Sequence, residues 1–301
     1  MLLSALLPSW KLALDAANKS PKTIVSYLDS GKRLEAYLAG EGLPLEPEGI
    51  RAFLVAERDR TSPASAAKHY RNLCVYFHWL LAEGEIKEDP MVRVEKPQVA
   101  EEAKPFFTDA ELAALLRVTR GQDFEARRDH AIIRILIDTG LRVSGLAGLR
   151  FHPTADKETD VFLDRRRLRV RLKGGQIWWV PIGSKTAAAI DRYQRIRARS
   201  KYADSPWLWI GTRGHDITHF GDSGIRAMLR RRGREAGVQN CHPHRFRHTF
   251  ADSWLAAGGN VDDLMNVAGW KSIAMPLRYA KGRGVARAAE AHKRLSPGDR
   301  L

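Results

Sequence analysis

A chain of 301 residues with 44% hydrophobic content can fill the cores of two ordinary domains, which excludes a globally disordered protein. Its formal net charge of +15 exceeds what solubility requires and points to a polyanionic partner, with nucleic acid ahead of an anionic membrane surface. Cys74 and Cys241 form neither a disulfide framework nor a metal-ligand spacing, which fits a reducing cytoplasm, and the apolar start halts at Pro8, too short to span a bilayer and without the basic opening of a secretory leader.

Residues 1–96 are predicted to be helical throughout. Ser20-Pro21 is an N-cap followed by proline at the first helical position, and it opens a helix to about Leu38. Ile24, Tyr27, Leu28, Leu34 and Leu38 supply the apolar stripe, and Gly40-Glu41-Gly42 ends it. A second helix covers about Glu46 to Glu57. Ser62-Pro63 repeats the start signal for a third, to about Ala82, with Tyr70, Leu73, Phe77 and Leu80 on one side. Gly84 stops it, and Asp89-Pro90 breaks the chain before a short piece ending near Val94. The stretch that follows is polar, holds Pro97 and Pro105, and has no period. We assign residues 97–106 as a linker between a helical-bundle domain (1–96) and a second domain (107–301).

The second domain opens with the capping box Thr108-Asp109-Ala110-Glu111, leading a helix to about Val118. A strongly apolar helix is expected from about Asp123 to Asp138. Thr139-Gly140-Leu141-Arg142 then turns the chain into a short helix, Val143 to Leu149. Between 160 and 182 the period changes to two. In Arg167-Leu168-Arg169-Val170-Arg171-Leu172-Lys173 cations alternate with aliphatics, as in a strand with one basic face. Gly174-Gly175 turns it, and Ile177 to Val180 returns as its partner. Further helices are expected at about 185–197, 222–236, 245–257, 261–267 and 285–295. The fold class is therefore mainly α with a small antiparallel β-sheet (α+β), in two domains.

The chemistry concentrates at residues 242–279. His244, Arg247 and His248 fall at i, i+3 and i+4 and share a helix face, while Phe246, Phe250 and Trp254 form an apolar one. A cationic face of this kind suits a clamp on an anion, and a tyrosine downstream, Tyr279, is a candidate nucleophile. Arg142 stands at a helix start, where backbone N–H groups and the dipole favour phosphate, and Lys173 sits beside two glycines between strands. Taken singly, Arg142 reads first as a surface arginine, Lys173 as a turn lysine, and Trp270 and Tyr279 as packed aromatics. The His244-x-x-x-His248 spacing also suits zinc, but the glutamate of metalloproteases and a third ligand are absent.

Taken together, these segments resemble the tyrosine recombinase (phage integrase) family. The matching stretches are Thr139-Gly140-Leu141-Arg142-Val143-Ser144, Lys173-Gly174-Gly175, His244 through Ala251, Ala268-Gly269-Trp270 and Leu277-Arg278-Tyr279. The first domain is similar to the family's core-binding domain, through Thr23 to Tyr37 and the segment Phe77 to Gly84 that leads into Asp89-Pro90. The resemblance implies that Arg142 and Arg247 grip the scissile phosphate and that Tyr279 attacks phosphorus. It implies further that Lys173 protonates the leaving 5′-oxygen and that His244 assists proton transfer. Trp270 stands where the family often has histidine; its indole N–H can donate to phosphate but cannot act as acid or base. Gly145 stands where the family usually has an acidic residue, and Phe246 where it usually has leucine.

The resemblance thus implies a DNA-cleaving and rejoining enzyme that needs no metal or nucleotide cofactor. It would act as a homotetramer on paired duplex core sites, in the cytoplasm and with no membrane partner. Two domains would clamp the DNA, and residues after Tyr279 would dock on a neighbouring protomer, with Val285, Ala286 and Leu295 as apolar content. Arg167, Arg169, Arg171, Arg226, Arg230, Arg231, Arg232, Arg234 and His248 are the candidate DNA contacts. Little chain precedes Ser20, so an arm-binding domain is not expected. The role favoured on sequence is a phage or mobile-element integrase. The alternatives are a recombinase that resolves chromosome or plasmid multimers, a type IB topoisomerase, or a non-catalytic DNA-binding protein.

Overall fold

A computed structural model describes residues 3–100, 105–152, 159–172, 175–212, 218–270, 272–276 and 284–300. The chain divides into two compact units, Met1–Glu102 and Ala103–Leu301.

The first unit is built from α1 (Leu7–Ala16), α2 (Pro21–Glu41), α3 (Pro47–Arg60) and α4 (Pro63–Ala82), followed by a 3-10 turn, Pro90–Arg93. The serine-proline starts behave as the sequence predicts. Ser20 Oγ accepts the Thr23 N–H, Ser62 Oγ accepts the Ser65 N–H, and a proline without an N–H occupies the first turn of each helix. Helix α1 is not marked by any of the start signals read above; it is held by burial. Its Trp10 lies in the core and stacks on Tyr76 with ring centroids 4.3 Å apart. Leu34, Ile50, Phe53, Leu73 and Phe77 complete that core. Within it Glu57 is salt-bridged to Arg60 at 2.6 Å; burial opposes its charge, but Arg60, His69 and Arg33 outweigh burial and hold its pKa below the usual carboxylate value.

The second unit comprises α5 (Asp109–Arg117), α6 (Phe124–Thr139), α7 (Val143–Ala147), β1 (Val161–Phe162), β2 (Arg167–Arg171), β3 (Ile177–Pro181), α8 (Ser184–Arg197), α9 (Asp222–Glu235), α10 (Pro243–Ala256), α11 (Val261–Ala268) and α12 (Gly284–Leu295). The described strands form an antiparallel sheet in the order β1-β2-β3, with Arg167 opposite Pro181 and Arg171 opposite Ile177. Helix α6 supplies Ile132, Ile133, Ile135 and Leu136 to the core. The inner sheet face adds Leu168, Val170 and Val180, and α8 adds Ile190 and Tyr193. The stretch 208–210 is buried without being a strand in its own right. Leu208 donates its N–H to Leu149 O at 2.9 Å, and the Trp209 indole donates to Leu146 O at 2.8 Å, which holds the end of α7 in place.

A buried carboxylate joins α6 to α9. Asp129 is fully buried and accepts Arg128 Nη2 at 2.9 Å on one oxygen, and Arg231 Nη2 and Arg232 Nε, both at 2.9 Å, on the other. Its removal would leave buried guanidinium charge without a counterion. Asp129→Ala is expected to lower the free energy of unfolding by about 3–5 kcal/mol, read from urea denaturation; a loss below about 1 kcal/mol would show that the hub is dispensable.

Candidate active site

Helix α10 is the wall on which the site is built. His242 caps it and Pro243 occupies its first position, so the helix starts sharply. The sequence pattern suggests an open cationic face, but α10 is buried on nearly every side: Arg245, Phe246, Arg247, His248, Thr249 and Phe250 are all buried, and His244 is exposed. The reason lies in where the guanidinium groups go.

Arg247 reaches two turns distant in sequence. Its Nη1 donates to Gly140 O and its Nη2 to Ala268 O, each at 2.8 Å, and its guanidinium lies 4.7 Å from the centre of the buried Trp270 ring. A fork of N–H donors thus joins the turn before Arg142 to the turn before Trp270. Both turns depend on glycine. Gly140 ends α6 at φ +55, and a Cβ there would come within 2.8 Å of the Phe250 ring. Gly269 ends α11 at φ +63. Arg142, exposed, is the N-cap residue of α7, one residue beyond the Gly140 turn and Leu141. His244 lies one turn before His248 on α10, with ring centroids 6.5 Å apart.

Lys173 and Tyr279 lie outside the described residues, as do Gly174, Leu277 and Arg278. The strands that flank Lys173 are described and are docked on two neighbours. Leu172 donates its N–H to Gln176 O at 2.7 Å, closing the pair beyond Arg171 and Ile177. On the inner face Val170 meets α7 at Gly145, where a Cβ would come within 3.0 Å of the Val170 Cγ1 methyl. The helix that carries Arg142 thus sits close on the sheet, and a Cβ at 145 would require Val170 to give by a few tenths of an ångström. On the same face Trp178 of β3, the cross-strand partner of Val170, donates its indole N–H to Asn266 O at 3.0 Å and lays its ring against Gly269.

The candidate DNA-contacting arginines separate into two groups. Asp160, fully buried, takes Arg169 at 2.8 Å and Arg171 at 3.1 Å, while Arg167 stacks on Trp179 at 4.1 Å. Arg231 and Arg232 are engaged by Asp129. The basic face of β2 and part of α9 are thereby tied to groups of the chain itself. Arg226, Arg230 and Arg234, at i, i+4 and i+8 on α9, form no ion pair among the described residues, and Arg230 and Arg234 are exposed. His248, in contrast, is buried in α10.

Sequence reasoning missed Arg245, which looks like one more cation in a basic run. It is a brace: Nη2 bonds both Glu111 oxygens at 2.8 Å and Phe106 O at 2.8 Å, Nη1 bonds Gln239 O at 2.6 Å, and the guanidinium lies 4.0 Å from the centre of the Phe107 ring. Burial opposes the Glu111 charge, but the Thr108 N–H and Arg245 outweigh it and lower its pKa. The capping-box glutamate therefore serves both its own helix and α10. Burial also pushes the Cys241 thiol up to about 12, which leaves it unreactive beside the site.

Comparison with known proteins gives three findings. The phage integrase family model matches residues 105–283. Relatives include tyrosine recombinase XerC of Roseiflexus castenholzii, 28% identical over 275 residues that cover 88% of this chain and 84% of that protein. Tyrosine recombinase XerD of Lacticaseibacillus casei is 29% identical over 263 residues, 85% of this chain and 86% of that one. Among solved structures, XerH site-specific recombinase bound to a palindromic difH substrate is similar with a TM-score of 0.73 at 14% identity, covering 98% of this chain and 85% of that chain. A lambda integrase dimer bound to a COC′ core site gives 0.70 at 18% identity, covering 93% and 77%. At these identities the structures speak to the fold alone, and the fold they share is this two-domain one.

Arg247→Lys keeps the charge but loses the planar fork, so one point charge cannot serve both carbonyls. The expected loss of unfolding free energy is about 2 kcal/mol, measured by chemical denaturation. Unchanged stability would mean that the two turns are held together by other contacts.

Proposed function

The chain belongs to the phage integrase family, whose members cleave and rejoin DNA through a tyrosine, and from that premise we propose that it is a site-specific recombinase with Tyr279 as nucleophile. The observation that carries the reading is the Arg247 bridge, because it gathers the Arg142 turn and the Ala268-Gly269-Trp270 turn around one cationic point on α10.

In the proposed reaction Arg142 and Arg247 hold the non-bridging oxygens of one phosphodiester. Positioned cations there favour the charge that develops on the five-coordinate phosphorus. The Tyr279 oxygen attacks phosphorus and gives up its proton with help from His244. The bond from phosphorus to the 5′-oxygen breaks, and that oxygen takes a proton from Lys173. The products are a 3′-phosphotyrosyl link and a free 5′-hydroxyl. Attack by a 5′-hydroxyl from a second duplex reverses the steps and reseals the backbone, so the energy of the phosphodiester is conserved in the covalent link. Trp270, buried beside Arg247, would support the phosphate site and transfer no proton.

Arg226, Arg230 and Arg234 of α9 are the proposed backbone contacts. Residues 1–96 would serve as the core-binding domain, 97–106 as the linker and 107–301 as the catalytic part. The segment after the nucleophile would dock on a neighbour in a homotetramer. Exposed Leu295 on α12 supports that role, whereas the side chains of Val285 and Ala286 lie outside those described. The XerC and XerD relatives favour multimer resolution over phage or element integration as the biological role, and action on DNA in a bacterial cytoplasm accords with them.

Two outcomes are expected. On a nicked suicide duplex the unaltered protein forms a covalent adduct and Tyr279→Phe forms none; an adduct with Tyr279→Phe would remove it as nucleophile. On plasmids bearing sites selected by the protein, two identical directly repeated sites recombine to monomers. Recombination confined to pairs of unlike sites would restore the integrase role.

A further inference from the structure

Two tryptophans stand side by side in β3 and do different things. Trp179 points outward under Arg167, exposed to solvent. Trp178 points inward, in register with Val170 of β2, and is partly buried. Its indole N–H reaches Asn266 O at 3.0 Å, and the same carbonyl takes the Gly269 N–H at 3.4 Å in the cap of α11. Three indole carbons lie 3.1 Å from where a Cβ on residue 269 would stand, so the ring fills the space that glycine leaves open. The next carbonyl back along that turn, Ala268 O, holds Arg247. On the same face the strand pair rests on Gly145 of the Arg142 helix through Val170. Lys173 follows Arg171, the last residue of β2, by two positions.

We propose that Trp178 is a positioning residue for the cleavage step: its bond to Asn266 sets the strand pair that carries Lys173 at a fixed distance from the turn that holds Arg247. The proposal rests on Lys173 as the donor of the proton to the leaving 5′-oxygen. A lysine on a four-carbon stem owes its aim to the backbone that bears it, and a two-strand ribbon pinned at Trp178, beside its turn end, swings less there than one held only at its far end. Without the anchor the lysine would spend less time within reach of the 5′-oxygen, while the arginine clamp, which has its own bonds, would keep its grip. The defect should therefore fall on proton donation and spare phosphate binding.

The test uses a nicked duplex isolated from a random pool by covalent capture on the unaltered protein, made with either oxygen or sulfur at the 5′-bridging position. Sulfur leaves without a proton. Trp178→Phe keeps a ring but loses the N–H, and Trp178→Leu fills the space without a ring. Both are checked for an unchanged unfolding midpoint and run beside Lys173→Ala. With oxygen, both Trp178 variants should form adduct about fivefold more slowly than the unaltered protein. With sulfur, they should return to within about twofold of it. Trp178→Phe combined with Lys173→Ala should be no slower than Lys173→Ala alone. Equal slowing on both substrates, or no slowing on either, overturns the positioning role while rescue of Lys173→Ala by sulfur stands. If sulfur fails to rescue Lys173→Ala, the proton-donor assignment falls, and the Trp178 proposal falls with it.

Discussion

The second unit depends on one buried guanidinium that satisfies two carbonyls. Arg247 costs free energy to bury, and two charge-assisted hydrogen bonds at 2.8 Å offset that cost where water cannot. The bonds are also directional. A planar fork accepts only one placement of Gly140 relative to Ala268, so the turn leading to Arg142 and the turn leading to Trp270 are fixed together. In its proposed role on phosphate, a residue that also holds the backbone around itself would meet its ligand already oriented, with little freedom left to lose on binding.

Around that point the architecture works by leaving atoms out. Gly140 admits the Phe250 ring, Gly145 admits Val170, and Gly269 admits the Trp178 indole. Each brings a backbone closer to its neighbour than an ordinary Cβ contact, most tightly at Gly140, where a Cβ would stand 2.8 Å from the Phe250 ring. At 145 the closeness replaces a charge: where the family usually has a carboxylate, this chain has van der Waals contact between α7 and β2. The arginines of the sheet instead find their carboxylate at Asp160, on the far side of the same strand pair.

Much of this was legible in the sequence. The serine-proline starts, the Thr108 capping box, the change from helical to two-residue period near 160 and the glycine at the hairpin turn all act locally, so local pattern reveals them. The segments around Arg142, Arg247 and Trp270 were legible because their chemistry is stereotyped. What was not legible is long-range. The alternating arginines of β2 look free until Asp160 is placed under them, and nothing in the run Arg230 to Arg232 distinguishes the exposed arginine from the two that Asp129 binds. Arg245 resembles its neighbours in sequence yet serves as a strut to Glu111, 134 positions away. Helix α1 lacks a cap signal and is held by Trp10 in the core. A count of charges therefore overstates the cationic surface, and of the candidate arginines on α9 it is Arg226, Arg230 and Arg234 that form no ion pair among the described residues.

The two acceptors of Arg247 lie 107 and 21 positions from it, one on each side in the chain. During synthesis from the N-terminus, the fork therefore has nowhere to close until Ala268 has left the ribosome. The proposed nucleophile, Tyr279, follows eleven residues after that. On the proposed reading, translation order places Tyr279 after both acceptors of the fork, so the arginine clamp can close before its nucleophile has emerged.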